Sequence, residues 1–94
     1  MAVARVVTFE GVDDARVAEL KAQIESDPRP EEIPATEILM LHDDEAGKSI
    51  VVLFFETEED YQRGDAALNA MEPGDTPGRR TSVGKYQVAL RQTA

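Results

Sequence analysis

The stretch TEILMLHDDEAGKSIVVLFFET, residues 36–57, decides the fold. Two runs rich in β-branched and apolar residues, 36–42 and 49–55, flank the polar segment DDEAGK, and this pattern predicts two strands joined as a hairpin with a longer loop. Thr57 stands three residues before Asp60, which has the form of a helix capping box with Asp in place of Glu. The hairpin is therefore expected to run directly into a helix.

The same signals recur on both sides of the hairpin. Residues 3–9 predict a first strand, and Asp13 is placed to cap a helix that ends near Ser26. Residues 81–90 predict the last strand. With right-handed crossovers, this order gives an α+β, ferredoxin-like βαββαβ fold: an antiparallel four-stranded sheet in the order 4-1-3-2, with two helices on one face. The whole chain, 1–94, is expected to form a single domain.

Each predicted helix carries an apolar stripe at helical spacing. The stripe residues are Val17, Leu20 and Ile24 in the first helix, and Tyr61, Leu68 and Met71 in the second. Gly64 lies on the second stripe, which predicts that this helix approaches the sheet closely.

The strands of the hairpin are apolar on both of their faces. Two helices can cover only one face of the sheet, so residues 38–41 and 50–55 should alternate with polar residues if the other face met water. Each exposed side chain of this kind forfeits about 1.5 to 3 kcal/mol of burial. We therefore expect a second copy, related by a two-fold axis, to cover the other face.

Four segments cover most of the chain: VARVVTF, the hairpin quoted above, the helix opening TEEDYQRGDAAL and the closing strand TSVGKYQVAL. In this order they resemble the dimeric α+β barrel superfamily, which includes antibiotic-biosynthesis monooxygenase-like, stress-responsive barrel and EthD-like proteins and small uncharacterised bacterial members. The resemblance implies a homodimer whose sheets form a closed barrel and, in many members, a cavity between sheet and helices.

The monooxygenase activity of that superfamily is not carried over. Its members use an Asn on the first strand, a Trp and a His around the substrate or haem. The first strand here has Val, Thr and Phe, the chain has no Trp, and its single His lies outside both predicted helices. No cofactor is implied by the sequence.

Charge and composition exclude several partners. The chain has 19 acidic and 10 basic residues, and all of the acidic ones fall within residues 1–75. An acidic body repels a polyanion, so nucleic acid is not expected as a partner, and an RNA-binding version of this topology is excluded with it. Gly11 is followed by Asp13 and Asp14, which would repel a phosphate and exclude an acylphosphatase-like site. The chain has no cysteine, which excludes a disulfide framework. The start of the sequence lacks the pattern of a signal peptide and there is no apolar run of membrane-spanning length, so we expect a cytoplasmic protein without membrane contact.

The candidate site residues are few. His42 has the only side chain that ordinarily titrates near neutrality, so it is the default candidate for a catalytic proton donor or base, or for an axial ligand. Phe54, Tyr61 and Tyr86 are candidates to line a ligand cavity with it. The structural alternatives are a strand-end histidine bonded to the adjacent turn, and aromatic residues that belong to the core or an interface.

Two charged groups invite further hypotheses. Asp43, Asp44 and Glu45 follow His42, but adjacent residues of an extended chain point to opposite sides, so we expect a solvated turn and no metal site. Arg79 and Arg80 could hold an anionic ligand, or could be ordinary exposed charges after a Pro/Gly loop. Together with Lys85 and Arg91 they make the end of the chain basic, and they could pair with acidic groups of a partner or of the chain itself.

The resulting hypothesis is a homodimeric barrel protein that binds a small organic molecule or acts as an assembly module. The alternative is a cofactor-independent monooxygenase-like or isomerase-like enzyme in which His42 and a tyrosine act in the barrel cavity. A third reading is a monomeric regulatory module whose sheet docks on a different protein. The sequence leaves open whether the protein is an enzyme.

Overall fold

The computed structural model describes residues 2–26, 33–70 and 78–92 of the chain. The elements follow in the predicted order: β1 Val3–Glu10, α1 Asp14–Ser26, β2 Glu37–Asp43, β3 Lys48–Phe55, α2 Glu58–Asn69 and β4 Arg79–Gln87. The sheet has the order β2-β3-β1-β4, and every neighbouring pair is antiparallel. This is the predicted ferredoxin-like α+β topology.

The first helix begins and ends where its residues predict. The Asp13 carboxylate accepts a hydrogen bond from the Arg16 amide at 2.7 Å, and α1 ends at Ser26. Of the apolar stripe, Leu20 is buried and Val17 packs on the core, whereas Ile24 is 44% exposed.

The second helix opens with a cap and lies close to the sheet. Thr57 Oγ1 accepts from the Asp60 amide at 3.0 Å. A Cβ built on Gly64 would lie 2.5 Å from the Phe55 ring, which confirms the close approach. Tyr61 is buried and Leu68 packs beside it. Met71, the third stripe residue, and the proline-rich segment 27–32 lie outside the described residues.

The last strand differs from its prediction by two or three residues at each end. It was expected over 81–90 and is found at Arg79–Gln87. Its pairing with β1 continues to Glu10↔Arg79, and the register shifts between Thr8 and Phe9, where β4 carries an extra residue. A bulge of this kind is not visible in the alternation of apolar and polar residues.

The register sorts the side chains onto two faces. We call the face on which both helices pack the covered face, and the other the open face. The covered face is formed by Val3, Arg5, Val7, Phe9, Ile38, Met40, His42, Ser49, Val51, Leu53, Phe55, Arg80, Val83, Lys85 and Gln87. The open face is formed by Ala4, Val6, Thr8, Glu10, Glu37, Leu39, Leu41, Asp43, Lys48, Ile50, Val52, Phe54, Arg79, Ser82, Gly84 and Tyr86.

Candidate functional site

The four predicted cavity residues lie on different faces of the sheet. His42 and Tyr61 belong to the covered side, whereas Phe54 and Tyr86 lie on the open face. His42 is paired with Ser49 at one end of the sheet, and Tyr61 packs against Phe55 at the other. One subunit therefore does not bring these residues into a single cavity.

His42 joins β2 to β3 and to the start of α1. Its Nδ1 lies 2.8 Å from the Ser49 hydroxyl and its Nε2 lies 3.0 Å from Asp14 Oδ1. In a neutral ring that donates from Nε2 to the carboxylate, Nδ1 accepts the serine proton. The alternative that His42 is hydrogen-bonded to the adjacent turn is wrong, because its partners come from a neighbouring strand and a helix.

Asp14, His42 and Ser49 have the side-chain types of a nucleophilic triad but not its accessibility. Ser49 has no exposed surface, whereas the Asp14 side chain is 77% exposed. A nucleophilic serine must be accessible to the substrate, whereas the supporting carboxylate is ordinarily the buried member. Here the serine is buried and the carboxylate is exposed, so the three residues do not form a nucleophilic site. Its bonds fix α1 against the sheet.

Tyr61 stands between an aromatic and a cationic neighbour. Its ring meets Phe55 edge to face with centroids 5.7 Å apart, and Lys85 Nζ lies 5.1 Å from its centroid. Burial raises the pKa of the Tyr61 hydroxyl above its ordinary value. Lys85 also pairs with Glu58, and its hydrogen bond holds the pKa of that carboxyl below the ordinary value.

The open face has an apolar centre and charged ends. Leu39 is 42% exposed, Leu41 54% and Tyr86 58%. At one end Arg79 pairs with Glu10 at 3.1 Å, and at the other Arg91 pairs with Glu37 and lies 4.5 Å from the Phe54 ring centroid. An apolar centre with a polar rim is typical of protein interfaces.

A polar cluster under α2 was missed by the sequence reading. Arg5 Nε donates to Asp65 Oδ1 at 2.8 Å, and Arg5 Nη2 donates to Asn69 Oδ1 at 3.1 Å. Arg80 Nη1 donates to the same Asn69 oxygen at 2.9 Å. Arg5 is only 3% exposed. Arg5 alternates along β1 with Val3, Val7 and Phe9, which point to the core. The signal in the sequence was therefore a single charged residue among the inward-facing positions of this strand.

The basic residues at the end of the chain act separately. Arg79 faces the open side and Arg80 the covered side, so the two cannot clasp one anion together. Arg79, Lys85 and Arg91 pair with Glu10, Glu58 and Glu37 of the same chain. The structure thus shows that these three basic residues pair with acidic residues of their own chain.

The acidic residues after His42 form a turn. Asp43 Oδ1 accepts from the amides of Glu45 and Ala46, both at 3.1 Å, and Gly47 adopts a φ of 63°. Within residues 2–26, 33–70 and 78–92, no group of His, Asp and Glu side chains is arranged to hold a metal ion. None of the helices in these ranges is long and apolar enough to cross a membrane.

Comparison with known proteins supports the fold. Three chains of solved structures match. One of them, the structure of Rv0793 from Mycobacterium tuberculosis, is similar with a TM-score of 0.58 and 16% sequence identity, over 100% of both chains. No family model matches the sequence, and no curated protein matches it. At this identity, the likeness establishes the ferredoxin-like α+β fold.

Proposed function

We propose that this protein is a cytoplasmic homodimer of the dimeric α+β barrel type, which binds a small organic molecule on the covered side of each sheet. The observation that carries the proposal is the exposure of Leu39 and Leu41 on edge strand β2 and of Tyr86 on edge strand β4. Between them, the two central strands of the open face carry the half-buried apolar residues Val6, Ile50, Val52 and Phe54. A contiguous apolar surface of this kind marks an interaction site. The absence of cysteine from the chain fits a reducing compartment.

A second copy is the partner that the open face fits best. Its ion pairs, Glu10 with Arg79 and Glu37 with Arg91, are closed within the chain and lie at the ends, so the apolar centres can meet without stranding a charge. Four strands about 26 Å long and about 4.8 Å apart present roughly 500 Å², so two such faces bury on the order of 1,000 Å². That is the area at which specific interfaces begin.

The covered side supports the binding role. An interface between a helix and a sheet is at least as stable when apolar residues replace a buried ion pair. Arg5, Asp65 and Asn69 nevertheless form a bonded polar cluster beneath α2. Assembly through the open face does not involve these groups, because they lie on the covered side, and we assign them to the binding role.

The enzyme alternative finds no comparable support. It needs His42 beside a tyrosine, yet His42 is bonded at the Ser49 end of the sheet and Tyr61 packs at the Phe55 end. Tyr86 lies on the other face. A monomer that docks on a different protein is the remaining reading of the open face, and the mass of the purified protein separates it from the dimer.

The test is the mass of matched variants by light scattering. Leu41→Asp places a charge at the open face, and Ile24→Asp places the same charge on a residue of α1 with similar exposure, 44% against 54%. We expect the wild type and Ile24→Asp to have twice the 10.3 kDa chain mass, and Leu41→Asp to dissociate. A wild type at 10.3 kDa, or a dimer that survives Leu41→Asp, would refute the proposed assembly.

A further inference from the structure

Two guanidinium groups meet at one amide oxygen beneath the end of α2. Arg5 Nη2 and Arg80 Nη1 both donate to Asn69 Oδ1, at 3.1 and 2.9 Å. The amide nitrogen of Asn69 donates in turn to Asp65 Oδ2 at 3.3 Å. The amide is thus fixed in one orientation, and it holds the two cations near each other.

Among the described residues, the charge of this cluster is unbalanced. Asp65 is the one described carboxylate that pairs with either guanidinium group, and it pairs with Arg5. Arg80 has five N–H donors, and its Nη1 donates to the neutral amide of Asn69. The last turn of α2 has no basic residue, so its dipole attracts positive charge, but that attraction is weak and does not require two guanidinium groups.

An apolar surface adjoins the cationic group. Val83 lies on the covered face between Arg80 and Lys85 along β4, opposite Val7. It is 41% exposed although the helices pack on this face. Arg80 and Asn69 are also exposed, so a molecule from solvent can reach Arg80 and Val83 together.

We propose that Arg80, held by Asn69 beside Arg5, binds the carboxylate of a small organic acid whose apolar part rests on Val83. A carboxylate accepts two parallel hydrogen bonds from a guanidinium group, and its single charge matches the excess of one cation over the described carboxylates. The inference rests on the proposed small-molecule function and names its ligand class. It does not depend on the dimer.

The test compares two matched probes and two matched variants. Benzoate and benzamide have the same ring and nearly the same shape, but only benzoate carries a charge. Arg80→Gln removes the guanidinium group that is proposed to bind the carboxylate. Arg79→Gln removes the neighbouring charge on the opposite face. Binding is followed by NMR at the Asn69 side-chain amide and the Val83 methyl groups, at constant ionic strength, and light scattering gives the mass of each variant.

We expect saturable binding of benzoate to the wild type at millimolar concentration, with benzamide at least about tenfold weaker. Arg80→Gln should weaken benzoate about tenfold or more, Arg80→Lys should recover part of the loss, and Arg79→Gln should stay within about twofold of the wild type. All variants should keep the wild-type mass.

Three results would overturn the inference. They are no saturable binding of benzoate, equal binding of both probes, and an equal loss in the two arginine variants, which would mean a general charge effect. Equal binding of both probes would leave the small-molecule function standing without this site. A monomeric mass with benzoate binding intact would refute the dimer and leave the carboxylate site standing.

Discussion

Each face of the sheet carries exceptions to the usual relation between burial and polarity. The covered face, which should be the apolar one, buries Arg5 and Ser49. The open face, which meets solvent in a single chain, exposes Leu39, Leu41 and Tyr86. Buried polar groups and exposed apolar patches are the observations that carry information about function, since the opposite arrangement is the rule. We propose a separate explanation for each face: a bound molecule for the covered face, and a second subunit for the open face.

The largest contrast is expected from two adjacent phenylalanines on opposite faces. Phe55 has no exposed surface and packs on Tyr61, whereas Phe54 is half-buried on the open face. Phe55→Ala should lower the free energy of unfolding by about 4 kcal/mol because it leaves a cavity. Phe54→Ala should have a smaller effect on folding and should weaken self-association instead.

Urea denaturation and light scattering measure the two effects separately. If Phe54→Ala destabilised the fold as much as Phe55→Ala and left the mass unchanged, the distinction between the two faces would be lost.

The next contrast lies within the polar cluster. Asp65→Ala leaves the guanidinium group of Arg5, which is 3% exposed, without its carboxylate, and should cost about 3 kcal/mol. Arg5→Met removes the buried charge itself and leaves a carboxylate whose side chain is 31% exposed and can be hydrated. The second change should cost much less than the first, as measured by urea denaturation.

Equal costs for Asp65→Ala and Arg5→Met would show that the ion pair is needed for folding. That result would weaken the argument that these charges serve a ligand.

The smallest contrast compares two glycines. A Cβ on Gly64 would lie 2.5 Å from the ring of Phe55, which is fully buried and cannot move away. A Cβ on Gly84 would lie 2.7 Å from the far end of the exposed Tyr86 side chain, which can swing aside. Gly64→Ala should therefore cost about 2 kcal/mol, and Gly84→Ala less than about 1 kcal/mol.

Thermal unfolding at a fixed protein concentration measures both glycine changes. A larger shift for Gly84→Ala would mean that Tyr86 is held in place, as it would be inside a tight interface.

The fold was predictable because its signals are local. The apolar, β-branched runs of the strands, the cap at Thr57 and Gly64 on the inward stripe of α2 are each local features, and the structure confirms them. The start of β4 was misplaced because a bulge opposite Thr8 and Phe9 depends on pairing between strands.

The candidate site was less predictable because it depends on contacts between distant residues. Arg5 reaches Asp65 and Asn69 across more than half the chain, and Arg80 joins them from the last strand. The alternation of inward and outward side chains along β1 indicates that Arg5 points inward. It does not show which side chains accept its hydrogen bonds. For His42, the sequence does not indicate its partner Asp14, because that residue comes from a different element.

The most direct test of the central claim is the solvent exposure of methyl groups in the purified wild type. A soluble paramagnetic agent relaxes exposed methyl groups, and Ile24 on α1 serves as the internal reference for Leu39 and Leu41, because the three have similar exposure in one chain. If a second copy covers the open face, both leucines will be protected and Ile24 will be relaxed. Leucine methyl groups relaxed as strongly as those of Ile24 would contradict the account.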